Sequence, residues 1–248
     1  MGTARVTHLL LDGAVKAVVF DLDGTLYPSR PQIHDEIKRQ TLSVAARLLH
    51  LEPAQARTLL RGYRVRYRSS VIGLERHHGV DGTQFLHEVY AEFDTRAIQP
   101  YADLAVEVER LAMRVRVCVL TNSSVSYGGR VLRQLGLSQV VGEVYGAESF
   151  GYLRKPHAAP FRGVAGALRM PARQLLMFDD SALNLERAHA CGLATVLVSN
   201  GLAQPPWFFQ LHRGHPVPAP SFIDGSCHDL VGFLRAINQP DRPRRSVV

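Results

Sequence analysis

The sequence predicts an α/β protein: a doubly wound parallel sheet with an all-helical insert after its first strand. Three observations point there. Short, mostly apolar runs recur along the chain, as in strands buried on both faces. Helical patterns of about ten residues separate them, which calls for right-handed crossovers between parallel strands. Residues 31–95 break this alternation with helical patterns alone.

Taken in order, Ala17–Phe20 is the first strand. The insert opens with Ile33–Leu49, where Ile33, Ile37, Val44 and Leu48 recur at helical spacing. Pro53–Val71 starts with a residue favoured in a helix's first turn, and Asp81–Phe93 completes the insert. A helix over 101–113 leads to the second strand, Val115–Leu120. Helices over 126–136, 157–169 and 181–191 alternate with strands Gln174–Phe178 and Ala194–Val198. Phe222–Ile223 is a weaker last strand, before a helix over 228–237. Residues 1–29 and 97–238 then form a core, and 30–96 a helical cap, with a cleft between two lobes. Asn200–Pro220, with Pro205-Pro206-Trp207-Phe208-Phe209, reads as an irregular surface loop. Residues 239–248, with two prolines and three arginines, read as a disordered tail.

Composition narrows the class. The 248 residues are 46 % hydrophobic and 21 % charged, which excludes a disordered or collagen-like chain. No apolar run reaches the ~18 residues of a membrane helix. Val6–Val19 is the nearest to a targeting segment, but Asp12 and Lys16 interrupt it, so a cytoplasmic protein without membrane partners is expected. Cys118, Cys191 and Cys227 are odd in number and lack metal-ligand spacing, as suits free thiols in a reducing compartment. The net charge of +7 raises the question of nucleic acid. The basic residues are scattered, and the densest groups, Arg61 to Arg68 and Arg242 to Arg245, do not form an aromatic-studded recognition sheet; no nucleic-acid partner is expected. Only Lys16, Lys38 and Lys155 are lysines, against 26 arginines.

In a parallel sheet, ligands bind beyond the carboxyl ends of the strands. After the first strand stands Asp21-Leu22-Asp23-Gly24-Thr25-Leu26, after the second Thr121-Asn122-Ser123, and after the third Asp179-Asp180-Ser181. Lys155 precedes a helix in Arg154-Lys155-Pro156. A lone aspartate in such a place is ordinarily a cap or turn residue. Two carboxylate pairs in one crevice repel, and a divalent cation relieves that cost; oxygen ligands favour magnesium. A carboxylate such as Asp21 can attack phosphorus to form an acyl-phosphate, while Asp23 protonates the leaving oxygen and then deprotonates water. Thr121 and helix-start N–H groups can hold phosphoryl oxygens. Lys155 offers a compact cation to orient the nucleophile and balance transition-state charge.

These four motifs, in this order, resemble those of the haloacid dehalogenase-like (HAD) superfamily over residues 15–237. The resemblance implies a Rossmann-like core, a helical cap after the first motif and a magnesium-dependent phosphatase of a small phosphorylated metabolite. It implies Asp21 as nucleophile, Asp23 as general acid/base, and Thr121, Asn122 and Lys155 at the phosphoryl group. The metal would be held by Asp21, the backbone carbonyl of Asp23 and Asp180, with Asp179 behind it or, as the alternative, binding too. More narrowly, Phe20–Pro28, Ile72-Gly73-Leu74 and Phe178–Ser181 with Asn184 resemble the pyrimidine 5'-nucleotidase-like subfamily, which implies a nucleoside 5'-monophosphate. Tyr127 stands where that subfamily often has histidine. The competing readings are a phosphatase of a sugar phosphate or phosphoglycolate, a dehalogenase, which has no use for the acid Asp23, and a non-catalytic basic binding module, which has no reason to keep Asp21, Asp23, Lys155 and Asp180 together. His77-His78, and Arg61, Arg64, Arg66 and Arg68, read as solvated groups of the insert.

Overall fold

Strand β1 (Ala17–Phe20) is buried along its whole length and pairs in parallel with β2 (Arg116–Leu120) on one side and β4 (Leu175–Asp179) on the other. The computed structural model describes residues 3–28, 31–91, 93–199 and 220–239. Strands β3 (Glu143–Tyr145), β5 (Ala194–Val198) and β6 (Gly225–Cys227) complete an all-parallel sheet in the order β3-β2-β1-β4-β5-β6. Successive residues of β1 point to opposite faces. Val18 and Phe20 join one apolar cluster, with Val6, Val108 and Phe233. Ala17 and Val19 join another, with Phe161 and Leu185. Helices therefore cover both faces, as the doubly wound class requires.

One face carries α1 (Thr3–Leu11), α6 (Leu104–Ala112), α7 (Val125–Gln134) and α10 (Leu230–Asn238). The other carries α8 (Ala158–Leu168) and α9 (Ala182–Ala190). Between β1 and α6 lie α2 (Pro31–Leu49), α3 (Pro53–Tyr67), α4 (Ser70–His78) and α5 (Gly82–Ala91), which pack on one another, while α5 also meets α7. None of the described helices is long and apolar enough to cross a membrane.

Four departures from the sequence reading have local causes. The region expected as one helix over Pro53–Val71 is two: Arg68 adopts φ 59° and ends α3, and the Ser69 hydroxyl accepts from the Ile72 N–H to start α4. Strand β3 is an addition, because it has three half-buried residues at the sheet edge and no apolar run. The last strand lies at Gly225–Cys227, not Phe222–Ile223; those two side chains pack against the second cluster instead. The segment resembling a targeting sequence begins as α1, whose Val6 and Leu10 are buried. The expected loop at 200–220 falls, but for Pro220, outside the described residues, as does 240–248 of the expected tail.

Gly73 of α4 faces Tyr63 of α3: a Cβ there would lie 2.1 Å from the ring's Cγ. The Ile72-Gly73-Leu74 motif thus has a packing reason, the close approach of two helices. All three cysteines are free thiols. Burial pushes the Cys118 and Cys227 thiols up to about 12, so neither is a thiolate nucleophile at neutral pH.

Candidate active site

The chain leaves β1 still in register: the Asp21 N–H donates to the Phe178 carbonyl at 2.8 Å. It then turns through Gly24, whose φ of 93° suits a residue without a Cβ. This turn brings Tyr27 back beside Asp23. The aspartates thereby acquire separate surroundings.

Asp21 faces Lys155. The Lys155 ammonium lies 2.7 Å from Asp21 Oδ1 and 2.7 Å from Asp179 Oδ2, with its side chain 1 % exposed. The Thr25 hydroxyl donates to Asp21 Oδ2 at 3.3 Å. Asn122 sets the lysine's place: its Nδ2 donates to the Lys155 carbonyl at 3.0 Å, and its Oδ1 accepts the Lys155 N–H at 2.8 Å. Asn122, expected at the phosphoryl group, thus spends its amide on the loop that presents the cation, while still lining the cavity.

Asp179 is fully buried and surrounded by donors. Its Oδ1 accepts from the Ser181 N–H at 2.8 Å and from Asn184 Nδ2 at 2.9 Å, and its Oδ2 from Lys155. Asp180 is less buried and lines the cavity. Carboxylate oxygens of Asp21, Asp179 and Asp180 lie within 4.8 Å of one another. One lysine faces these three acids. Burial, then repulsion from Asp21 and Asp179, raises the Asp180 carboxyl to about 8. Burial raises Asp179 to about 6, against the pull of Lys155, and raises Asp21 likewise. A crowd of oxygen donors with unbalanced negative charge fits a hard divalent cation. Asp179 is already saturated by donors, so Asp21 and Asp180 are the side chains with capacity to spare.

Asp23 turns away from this cluster. Its Oδ2 accepts from the Ser123 hydroxyl at 2.8 Å and the Thr121 hydroxyl at 3.5 Å. Its Oδ1 accepts from the Tyr127 hydroxyl at 3.1 Å and from Tyr27. Burial and the Asp23 charge raise both phenols far above their ordinary range, so they stay protonated donors. Ser124 caps α7 and places Tyr127 in its first turn, where Tyr90 and Phe93 pack on its ring at 4.9 and 5.3 Å. The sequence reading foresees none of these contacts. Tyr27 at four residues beyond Asp23, and Tyr127 three beyond a capping serine, are the available signals.

The cavity over these groups is about 400 Å³ and is lined on the insert side by Ile37 and Lys38 of α2, Arg64 of α3 and Tyr90 of α5. His77 and His78 lie elsewhere, exposed, with ring nitrogens on the Tyr67 and Tyr63 hydroxyls. Of the arginines from 61 to 68, Arg64 and Arg68 line cavities near the site, and Arg66 lies over the Tyr67 ring.

Residues 15–192 match the haloacid dehalogenase-like hydrolase family. The chain belongs to that family. This HAD hydrolase is similar to the phosphoglycolate phosphatase of Rhodospirillum rubrum, with 30 % identity over 77 % of this chain and 82 % of the other. It is also similar to the phosphoglycolate phosphatase of Cereibacter sphaeroides, with 27 % identity over 79 % and 91 %. Among solved structures, the HAD hydrolase shares its fold with a haloacid dehalogenase-like family protein from Streptococcus pneumoniae, at TM-score 0.56, 14 % identity and coverage of 90 % and 98 %. It shares it too with the L-2-haloacid dehalogenase of Xanthobacter autotrophicus, at TM-score 0.52, 19 % identity and coverage of 90 % and 98 %.

Proposed function

We propose that this HAD hydrolase cleaves a small phosphomonoester through an aspartyl-phosphate on Asp21. Residues 30–96 act as the cap, and residues 1–29 and 97–238 as the catalytic core. The observation that supports this best is the division of labour between two aspartates. Asp21 is held by Lys155 beside an acid cluster, and Asp23 is held apart from it by hydroxyl groups. A dehalogenase has no use for the second acid.

Asp21 attacks phosphorus, and the bond to the leaving oxygen breaks as protonated Asp23 gives that oxygen its proton. Asp23 then takes a proton from water, whose oxygen attacks the phosphorus of the acyl-phosphate and releases phosphate and Asp21. Lys155 keeps the Asp21 carboxylate in one orientation and offsets negative charge throughout. Thr121, on the cavity wall, supplies a hydroxyl for phosphoryl oxygens, whereas the Val125 and Tyr127 N–H groups that open α7 are taken by Glu148 Oε1 and the Ser124 hydroxyl. Asp21, Asp180 and the Asp23 backbone carbonyl would hold magnesium, which supplies positive charge against the phosphoryl oxygens when bound. Asp179 supports the lysine.

The relatives named above are phosphoglycolate phosphatases. Phosphoglycolate therefore stands ahead of a nucleoside 5'-monophosphate as a candidate. Arg64 and Arg154 on the cavity wall suit a substrate with a further anionic group. The test is phosphate release with magnesium from phosphoglycolate, p-nitrophenyl phosphate, sugar phosphates and nucleoside 5'-monophosphates. Release from at least one is expected. Halide release from a 2-haloacid with no phosphatase activity would overturn the reading.

A further inference from the structure

Arg57, Leu60 and Arg64 follow one another at spacings of three and four, which places them on one face of α3, and Arg68 is its C-cap. All four line an open cavity of about 590 Å³ between the helices of the insert and Arg154. Its apolar lining is half-buried Ile37 and Leu42 of α2, with Phe85, Leu86 and Val89 of α5 buried in the core. It shares Lys38, Arg64, Tyr90 and Arg154 with the cavity over the acid cluster, so the two adjoin.

The cations facing this space are only partly paired among the described residues. α3 contains no acidic residue. Among the described residues, the ion pairs include none made by Arg57, Arg64, Arg68 or Arg154. Lys38 and Arg39, on the α2 wall, pair instead with Asp35 and Glu36 of their own helix. Arginines that merely solvate a helix need not share a face. Arg57 and Arg64 do, with Leu60 between them. Arg57, Arg64 and Arg68 are exposed, and an entering carboxylate or phosphate can engage them through paired hydrogen bonds.

Size separates this space from the needs of a minimal substrate. About 590 Å³ falls within the ~300–1,000 Å³ range of pockets that enclose a drug-sized ligand. A glycolate leaving group would fill a small part of it.

We propose that this cavity is a leaving-group subsite. The preferred substrate is a phosphomonoester whose leaving group has an apolar body longer than glycolate's and a second anionic group, carboxylate or phosphate, at its far end. This rests on the phosphatase reading of the acid cluster. The apolar body lies against Ile37 and Leu42, and the terminal anion meets Arg57, Arg64 and Arg68. Binding energy from this remote end then becomes available to the reaction at phosphorus.

The test is a series of ω-carboxyalkyl phosphates of increasing length, beginning at phosphoglycolate, each beside its uncharged ω-carboxamide. A parallel series with ω-phosphate in place of ω-carboxylate tells which anion the arginines favour. In the wild type, kcat/KM should climb with length and favour the acid over the amide by roughly tenfold or more, the worth of a charged hydrogen bond. In Arg57→Ala and Arg64→Ala that acid-to-amide ratio should fall towards one. No dependence on length, or an unchanged ratio in both variants, overturns the subsite. Calorimetric titration with the ω-hydroxycarboxylate product reads the subsite without turnover. Arg57→Ala should weaken that binding several-fold, and equal affinity overturns the proposal. Failure to hydrolyse even p-nitrophenyl phosphate would instead count against the phosphatase reading, leaving the titration to judge the subsite.

Discussion

The Tyr27 and Tyr127 hydroxyls lie 3.0 Å apart and converge on the same oxygen of Asp23. They reach it from the loop after β1 and from the first turn of α7. With Ser123 and Thr121 on the other oxygen, the carboxylate is ringed by hydroxyl donors rather than cations. Such bonds fix its direction without adding positive charge beside it.

Tyr127→Phe keeps the ring and its packing but removes one donor from Asp23. We expect kcat to fall by roughly 10- to 100-fold for alkyl phosphates, within the ~10²–10⁴-fold that general acid–base catalysis supplies. The loss should be much smaller for p-nitrophenyl phosphate, whose leaving group needs little protonation. Equal losses on both substrates would mean that Tyr127 does not act through Asp23.

Asp21→Asn preserves shape and removes the nucleophilic charge. Turnover should drop by roughly 10³-fold or more while the thermal melt stays cooperative. Near-wild-type phosphate release would exclude Asp21 as nucleophile.

Chelation should abolish activity, and added magnesium should restore it. Asp180→Ala should raise the magnesium concentration for half-maximal activity, and direct calorimetric titration of magnesium should show the same weakening. Full activity in excess chelator would remove the metal from the proposal.

Lys155→Arg tests the shape of the cation. The ammonium sits between two carboxylates at 2.7 Å with 1 % exposure, a place too narrow for a planar guanidinium. A loss of roughly one to three orders of magnitude in kcat is expected, comparable to losing a preorganised donor worth ~3–4 kcal/mol. Lys155→Met should also destabilise the fold by about 3–5 kcal/mol, since it leaves buried Asp179 without its partner charge. Steady-state kinetics and denaturant melts check the two variants.

Gly73→Ala should strain the α3–α4 contact, because the new Cβ would meet the stem of the Tyr63 ring rather than a flexible end. Overpacking of this kind costs about 1–3 kcal/mol. A thermal melt should show a lower Tm, and Gly73→Ala with Tyr63→Ala should recover much of the loss.

Where a feature was legible in the sequence, its cause is local. β1, β2, β4 and β5 are runs whose burial on both faces demands apolar side chains, so their composition announces them. Asp21, Thr121 and Asp179–Asp180 could be read because each follows such a run directly. β3 and β6 are three-residue edge strands that hold few apolar residues, and their pairing, not their composition, makes them strands.

By itself the sequence determined the parallel sheet, the helical insert and the order of the acid-bearing loops, because periodicity and strand-end position are properties of neighbouring residues. Tertiary structure alone decided which groups meet. It paired Asn122 with the Lys155 backbone and saturated Asp179 with donors. It gave Asp23 to two tyrosines that lie 100 residues apart in the chain, and turned Arg64 and Arg68 towards cavities beside the acids. The physical reason is that a side chain's partner depends on how β1, α7 and the helices of the insert pack, and no local pattern records that distance.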